Sequence, residues 1–179
     1  MTHNHIDVLL DKRKRKQIIL KEQDLAFNTE VVTILMDITR ALGRQGLSFR
    51  GSDNDENGNF QQVVKLISRH NLVLMKWLED ARFRPYHTSY LSAFFQNEMI
   101  EVLTRTVRKK IVSDVQEVDF YGIMADTTPD ASHQDRLAVG VTYVDKDGRT
   151  QERLLEVAEA VDKTGVGLAN QIALNLTKN

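Results

Sequence analysis

An aspartate ends an apolar, strand-length run in the second half of the chain. Residues 118–126 read VDFYGIMAD, and the apolar run stops at Asp126. A carboxylate at the end of a central strand is held rigidly by the sheet, and its oxygens can bridge two divalent cations that drive phosphodiester cleavage. An aspartate that closes a strand is also a common turn residue, which accepts a hydrogen bond from its own backbone. Asp126 is therefore a candidate ligand for Mg²⁺ or Mn²⁺, with a turn role as the alternative.

Two basic clusters are candidates for contacts with nucleic acid. The first cluster is typical of a nuclear import signal, of an arm that contacts phosphates, or of a solvated helix start, and it comprises Lys12, Arg13, Lys14, Arg15 and Lys16. The second lies in a predicted helix, where its members either contact DNA phosphates or form a solvated outer face, and it comprises Arg105, Arg108, Lys109 and Lys110.

Composition limits the classes to which the chain can belong. Its net charge of −1 over 179 residues excludes a polycation that coats nucleic acid, so any such binding must come from local patches. The absence of cysteine excludes disulfides and a cysteine-based zinc finger in this chain, and it fits a reducing compartment, the nucleus or the cytoplasm. No apolar run approaches the roughly 18–20 residues that cross a bilayer, so no membrane partner is predicted.

Hydrophobic periodicity predicts an α+β protein with three N-terminal helices followed by β-β-β-α. Apolar residues at helical spacing predict helices over 29–44, 60–82 and 88–117, with Pro85 ending the second. Three strands over 118–126, 136–145 and 149–161 and a closing helix over 164–177 follow. The predicted organisation is a basic polar tail (1–28), a helical region (29–117) and a strand-bearing domain (118–179).

Several motifs in fixed order resemble one family of proteins. They are QGLSFRG (45–51), GNF (58–60), SYLSAFFQNEMIEVL (89–103), FYGIMADTTPDASHQDRLAVGVTYVD (120–145) and KTGVGLANQI (163–172). Together they resemble the domain of hAT-superfamily transposases and their domesticated relatives, such as zinc finger MYM-type and other transposase-derived proteins. The resemblance implies that residues 118–179 are the incomplete start of a ribonuclease H-like fold.

The resemblance implies a role for Asp126 as the first of three catalytic carboxylates of a DDE-type transposase. It also implies that the second acid belongs to a later, glycine-rich stretch and the third to a region farther on, neither of which this sequence reaches. The family pattern often reads ADETTD, whereas here Thr127 takes the place of the glutamate and Pro129 precedes Asp130. Asp130 and Asp135 are nearby acids, which we interpret as turn and solubility residues.

The sequence therefore predicts a truncated hAT transposase-derived protein without transposase activity of its own, and without a cofactor when alone. One alternative is a domesticated nuclear module that binds DNA or a protein. The other is metal-dependent DNA phosphodiester transfer completed by another chain, with Mg²⁺ or Mn²⁺. Because strand 118–126 would lack neighbours on one side, we also expect self-association or pairing with a transposase-like partner.

Overall fold

The computed structural model describes residues 3–51 and 57–177, and within these it describes the side chains of 12–51 and 57–174. The helices are α1 (His3–Arg44), α2 (Asn59–Ser68), α3 (Leu72–Glu79), a 3₁₀ helix (Ala81–Phe83), α4 (Arg84–Tyr90), α5 (Ala93–Gln116) and α6 (Gly165–Thr177). The strands are β1 (Tyr121–Pro129), β2 (Asp135–Val144) and β3 (Thr150–Glu159). The predicted α+β class, with its ribonuclease-like β-β-β-α half, is confirmed.

The first helix begins far earlier than the sequence predicted. A polar tail over 1–28 was expected, yet α1 starts at His3 and runs without a break to Arg44, while residues 1–2 lie outside the described part of the chain. Thr29, the first residue of the helix predicted over 29–44, does not start a helix, because its hydroxyl donates to the carbonyl of Leu25 one turn earlier, at 2.8 Å. Residues 12–26 contain neither glycine nor proline, so nothing interrupts the helix there.

Two other predicted helices are each divided by a capping residue. The helix expected over 60–82 breaks before Leu72, where the side chain of Asn71 accepts from the backbone N–H of Leu74 at 2.8 Å and begins α3. The helix expected over 88–117 breaks at Ser92, before α5. Pro85 lies in the first turn of α4, where its missing N–H costs nothing, and so it begins a helix instead of only ending one.

The chain forms two compact units, residues 1–103 and 104–179. The predicted boundary was 117/118, but the last turns of α5 belong with the sheet. Ile111 packs with Val141, Tyr143 and Leu155 of β2 and β3, and further α5 residues, including Val112, pack against the same cluster. Burial of this apolar face therefore assigns the end of α5 to the second unit.

The first unit has a core built on one face of α1, within the helix predicted over 29–44. Apolar residues at positions i, i+4, i+7 and i+11 are buried there; they are Val31, Leu35, Ile38 and Leu42. They pack against buried side chains of the following helices, namely Phe60, Val64, Leu74, Trp77 and Met99. The hydroxyl of Thr39 lies within this core, donating to the carbonyl of Leu35 at 2.8 Å and contacting the sulfur of Met99 at 3.7 Å.

The second unit is an antiparallel sheet in the order β1-β2-β3. The sequence predicted the first strand over 118–126, but β1 spans 121–129, and among the described residues it lies at an edge of the sheet. On β2, alternate residues are buried against helices; they are Leu137, Val139, Val141 and Tyr143. The residues between them lie on the opposite face, which described residues leave open.

Both hairpin turns have the same construction. In the first turn, the backbone carbonyl of Asp130 accepts from the N–H of His133, and the N–H of Asp130 donates to the carbonyl of Gln134. In the second turn, the carbonyl of Asp145 accepts from the N–H of Gly148, and the N–H of Asp145 donates to the carbonyl of Arg149. The third loop residue adopts a positive φ, +76° at Gly148 and +60° at His133. This is the three-residue turn that favours glycine at the left-handed position, so His133 is strained where Gly148 is not.

We predict that His133→Gly raises the free energy of unfolding by about 0.5–1 kcal/mol, because glycine adopts the left-handed region without a side-chain clash. Gly148→Ala, the matched change at the same turn position, should lower it by about 1 kcal/mol. Urea unfolding followed by circular dichroism measures both. A change of the same sign in both variants, or loss of stability in His133→Gly, would contradict the account of the turns.

Candidate functional site

Asp126 lies inside β1, three residues before the strand ends. It pairs with Ala138 of β2, and Thr127, Thr128 and Pro129 continue the ladder with Leu137, Arg136 and Asp135. The expectation that Asp126 closes the strand is therefore wrong. Because Asp126 pairs with Ala138, its side chain lies on the open face of the sheet, and it is exposed to solvent.

The carboxylate of Asp126 contacts backbone. Its Oδ1 atom accepts a hydrogen bond from the N–H of Thr127 at 2.9 Å. Beside it, Met124, Ala138, Gly140 and Leu154 contribute to a shallow concavity of about 310 Å³ on the open face. Among the described residues, no group of three or more histidine or acidic side chains is placed to hold a metal ion. Two-metal catalysis needs several carboxylates that converge on the ions, and among the described residues Asp126 belongs to no such group of three or more.

The basic cluster of α5 does not form one surface. Arg108 is half-buried and faces the sheet, where its guanidinium lies 2.6 Å from the carboxylate of Glu156 on β3. Lys110 lies 2.6 Å from Asp114 one turn on, and this hydrogen bond raises the pKa of the lysine. Arg105 and Lys109 are exposed to solvent. The cluster therefore divides into a side chain that holds α5 to the sheet, a paired lysine and two outward-facing cations.

A break in the β2–β3 register allows the contact between Arg108 and Glu156. The register shifts between Val139 and Gly140, so that Val139 pairs with Glu156 and Gly140 pairs with Leu154, which leaves Leu155 as the extra residue. Leu155 is buried with Ile111 of α5, and Glu156 reaches Arg108 of the same helix. In such a bulge two consecutive residues oppose one. The result is an apolar and a charged contact side by side on the covered face.

The run Lys12–Lys16 lies on α1 and is exposed along its whole length. Every residue from Lys12 to Ala26 is exposed, including Ile18 and Leu25. The segment is therefore a helical arm, defined here as residues 12–26. At 3.6 residues per turn, five consecutive cations surround the helix and do not form one stripe.

The sequence matches the DUF4371 family, described as the ZMYM1/FAM200, RNase-like domain, over residues 2–179. The chain belongs to this family. The family is transposase-derived. The resemblance to transposase-derived proteins, which rested on the FRG, QNE and ADTTPD motifs, is therefore confirmed. An origin in the hAT superfamily stays a prediction. The placement of β1, β2, β3 and α6 agrees with a ribonuclease-like domain.

Two curated relatives are similar to this DUF4371 chain. Both are named the 52 kDa repressor of the inhibitor of the protein kinase. The human protein is 25% identical over 136 residues, which cover 72% of this chain and 18% of the relative. The mouse protein is 26% identical over 126 residues, which cover 66% of this chain and 16% of the relative. The chain thus spans less than a fifth of their length. No solved structure matches it. None of the described helices is long and apolar enough to cross a membrane.

The FRG and QNE motifs meet in the first unit, a role that the sequence did not reveal. Arg50 donates to the side-chain oxygen of Asn97 at 2.6 Å and to the carbonyl of Ala93 at 3.3 Å. A Cβ at Gly58 would lie 2.5 Å from the carbonyl oxygen of Phe49, so only glycine fits against this loop. Gln96 is buried and donates to the carbonyl of Leu91 at 2.9 Å. These motif residues fix the loop after α1 to the start of α5.

Asp130, the second acid of the ADTTPD motif, is a turn residue, as its sequence predicted. Oδ1 of Asp130 accepts from the hydroxyl and N–H of Ser132 and from the N–H of Gln134, and Oδ2 accepts from Nε of Arg136 at 2.8 Å. The bonds from the Ser132 hydroxyl and from Arg136 hold the pKa of Asp130 far below its ordinary range. Asp135 pairs with Lys163, away from Asp126.

We predict a pH dependence of stability that comes from Asp130. The pKa of Asp130 is lower in the folded chain than in the unfolded chain, where it is about 3.9. The unfolded chain therefore binds the proton more tightly. The stabilisation is therefore fully present above about pH 5 and is lost as the pH falls below the unfolded value. Urea unfolding between pH 7 and pH 2.5 should show a smaller loss of stability in Asp130→Asn than in the wild type.

Asp119→Asn, a change at an exposed acid outside the hairpin turns, is the matched control and should follow the wild-type profile. A profile of Asp130→Asn that coincides with the wild type would show that the turn contacts of Asp130 are absent in solution.

Proposed function

We propose that this chain is a hAT transposase-derived module that binds nucleic acid or a protein partner in the nucleus and has no transposase activity of its own. The observation that carries the proposal is the setting of Asp126. This carboxylate accepts from its neighbour's backbone N–H at 2.9 Å, and it belongs to no group of three or more potential metal ligands among the described residues.

In its described part, the isolated chain has too few carboxylate ligands for the metal ions that phosphodiester transfer needs. In phosphodiester transfer, two metal ions some 3.5–4 Å apart stabilise the attacking and the leaving oxygen, and each ion needs its own ligands. One exposed carboxylate on an open sheet face cannot hold such a pair. Asp130 and Asp135 cannot assist, because Arg136 and Lys163 occupy them in the turn region.

The helical arm supports a binding role. Its five consecutive cations are exposed, and they belong to a protein whose remaining charge is net negative, so a polyanion would be drawn to this segment. The same five residues suit recognition by the nuclear import machinery. The likeness to two proteins named repressors also supports a binding role.

One experiment tests binding and inactivity together. The 179-residue chain is titrated against a fluorescent DNA duplex at several salt concentrations with Mg²⁺ or Mn²⁺, and anisotropy and strand cleavage are both followed. We predict binding that weakens with salt and no cleavage. Replacing Lys12–Lys16 by glutamine should reduce the salt slope by about 2, since about half of the cations around a helix can face one duplex.

Lys109→Gln together with Lys110→Gln is the control for α5 and should leave the slope unchanged. An equal loss in both variants would indicate a general charge effect and would contradict the role of the arm. Metal-dependent cleavage that is abolished in Asp126→Asn would contradict inactivity and would favour transfer chemistry.

A further inference from the structure

The helical arm continues a helix that is anchored in the first unit. α1 runs without a break from His3 to Arg44, and neither glycine nor proline interrupts residues 12–26. Directly after the arm, the ring of Phe27 stacks on that of Phe83, with centroids 4.9 Å apart, and Nζ of Lys76 lies 5.8 Å from the Phe27 centroid. At 1.5 Å per residue, the arm extends about 22 Å from this anchor as a preformed helix.

The five cations of the arm have a fixed arrangement around its axis. Because successive residues of an α-helix are rotated by about 100°, Lys12 and Lys16 lie on one side of it. Arg13 and Arg15 lie about 80° to either side of that direction, and Lys14 lies opposite. All five side chains are exposed. Covering them with another protein surface would require carboxylates on several sides at once, since buried charges must be paired.

The major groove of duplex DNA matches this arrangement. The groove is about 12 Å wide and admits one α-helix, which is about 10–12 Å across with its side chains. Phosphates line both walls, so cations on opposite sides of one helix are neutralised together. A flat anionic surface meets only one side of a helix, and the deep major groove of double-stranded RNA is too narrow to admit it. A membrane-surface helix needs an apolar face, and residues 12–16 are all cations.

We infer that the arm binds B-form DNA as a helix in the major groove. Lys12 and Lys16 point to the base edges, where lysine donates to O6 and N7 of guanine. Arg13 and Arg15 contact phosphates on opposite walls, and Lys14 points away from the duplex. This orientation brings more of the cations to the duplex than the reverse one, in which Lys12 and Lys16 point away. The inference rests on the proposed nucleic-acid binding and specifies its geometry.

A proline in the arm distinguishes a helix in a groove from a flexible basic tail. Gln17 is exposed and neutral. Gln17→Pro keeps every charge, but it removes an N–H from the helix and clashes with the carbonyl four residues earlier, so the helix breaks beside the cations. Anisotropy with a fluorescent duplex should show binding by the 179-residue chain that is at least about tenfold weaker. Gln17→Ala, the matched control, keeps the helix and should bind like the wild type.

Single substitutions and groove-specific competitors test the orientation. Arg13→Gln and Arg15→Gln should each reduce the salt slope by about 1, because each removes a phosphate contact, whereas Lys14→Gln should leave it unchanged. Methyl green, which occupies the major groove, should displace the protein, and netropsin, which occupies the minor groove, should not. Emission from Trp77, the single tryptophan and a fully buried one, shows whether each variant is folded.

The outcomes separate the geometry from the proposed binding. Weakened binding in Gln17→Pro, with unchanged Trp77 emission, supports the helix in the groove. Equal binding by Gln17→Pro and the wild type would overturn it, as would displacement by netropsin alone or equal binding to double-stranded RNA. In these cases a salt slope that still falls on replacing Lys12–Lys16 keeps the proposed binding intact. A wild-type chain that binds no duplex would overturn the inference and the proposed nucleic-acid binding together.

Discussion

Among the described residues, β1 lies at an edge of the sheet, and such a strand leaves every second backbone N–H without a strand partner. On β1 the constraint falls on odd-numbered residues from Tyr121 to Pro129. The N–H of Thr127 donates to the carboxylate of Asp126, and Pro129 has no backbone N–H. The acid that the transposase resemblance implies to be a catalytic ligand is therefore, in this structure, a hydrogen-bond acceptor for the backbone of its own strand.

Each unit buries an apolar core and also leaves apolar side chains exposed. In the first, Phe60, Val64, Leu74 and Trp77 are fully buried against α1. In the second, helices cover one face of the sheet, and Leu154 and Val157 stay more than half exposed on the other. At about 25 cal/mol per Å² of apolar surface, an open face and an open edge represent stabilisation that a partner can still supply.

Regular apolar spacing made much of the fold predictable. Val31, Leu35, Ile38 and Leu42 fix one face of α1, and alternation along β2 fixes its buried side, because burial depends only on periodicity. The helix breaks were not predictable in this way. Asn71 ends one apolar pattern by accepting a single hydrogen bond from Leu74, a local competition that spacing does not reveal.

The site was less predictable than the fold. Asp126 was expected at a strand end because a charge follows an apolar run, but Thr127 and Thr128 are β-branched and extend the strand, and Pro129 is tolerated because its position faces outwards. The contact of Arg108 with Glu156 joins residues 48 apart through a register shift, and no local pattern encodes it. The link between Arg50 and Asn97 was visible only as two motifs of unknown purpose.

Residue-resolved amide hydrogen exchange along β1, measured by NMR at low and high protein concentration, tests most directly whether the N–H groups of this strand alternate between β2 and solvent. At both concentrations, Gly122, Met124 and Asp126 should exchange slowly, because they donate to β2, while Tyr121, Ile123 and Ala125 exchange fast. Slow exchange of Tyr121, Ile123 and Ala125 that does not depend on concentration would contradict the account, because the edge would then already be paired within a single chain.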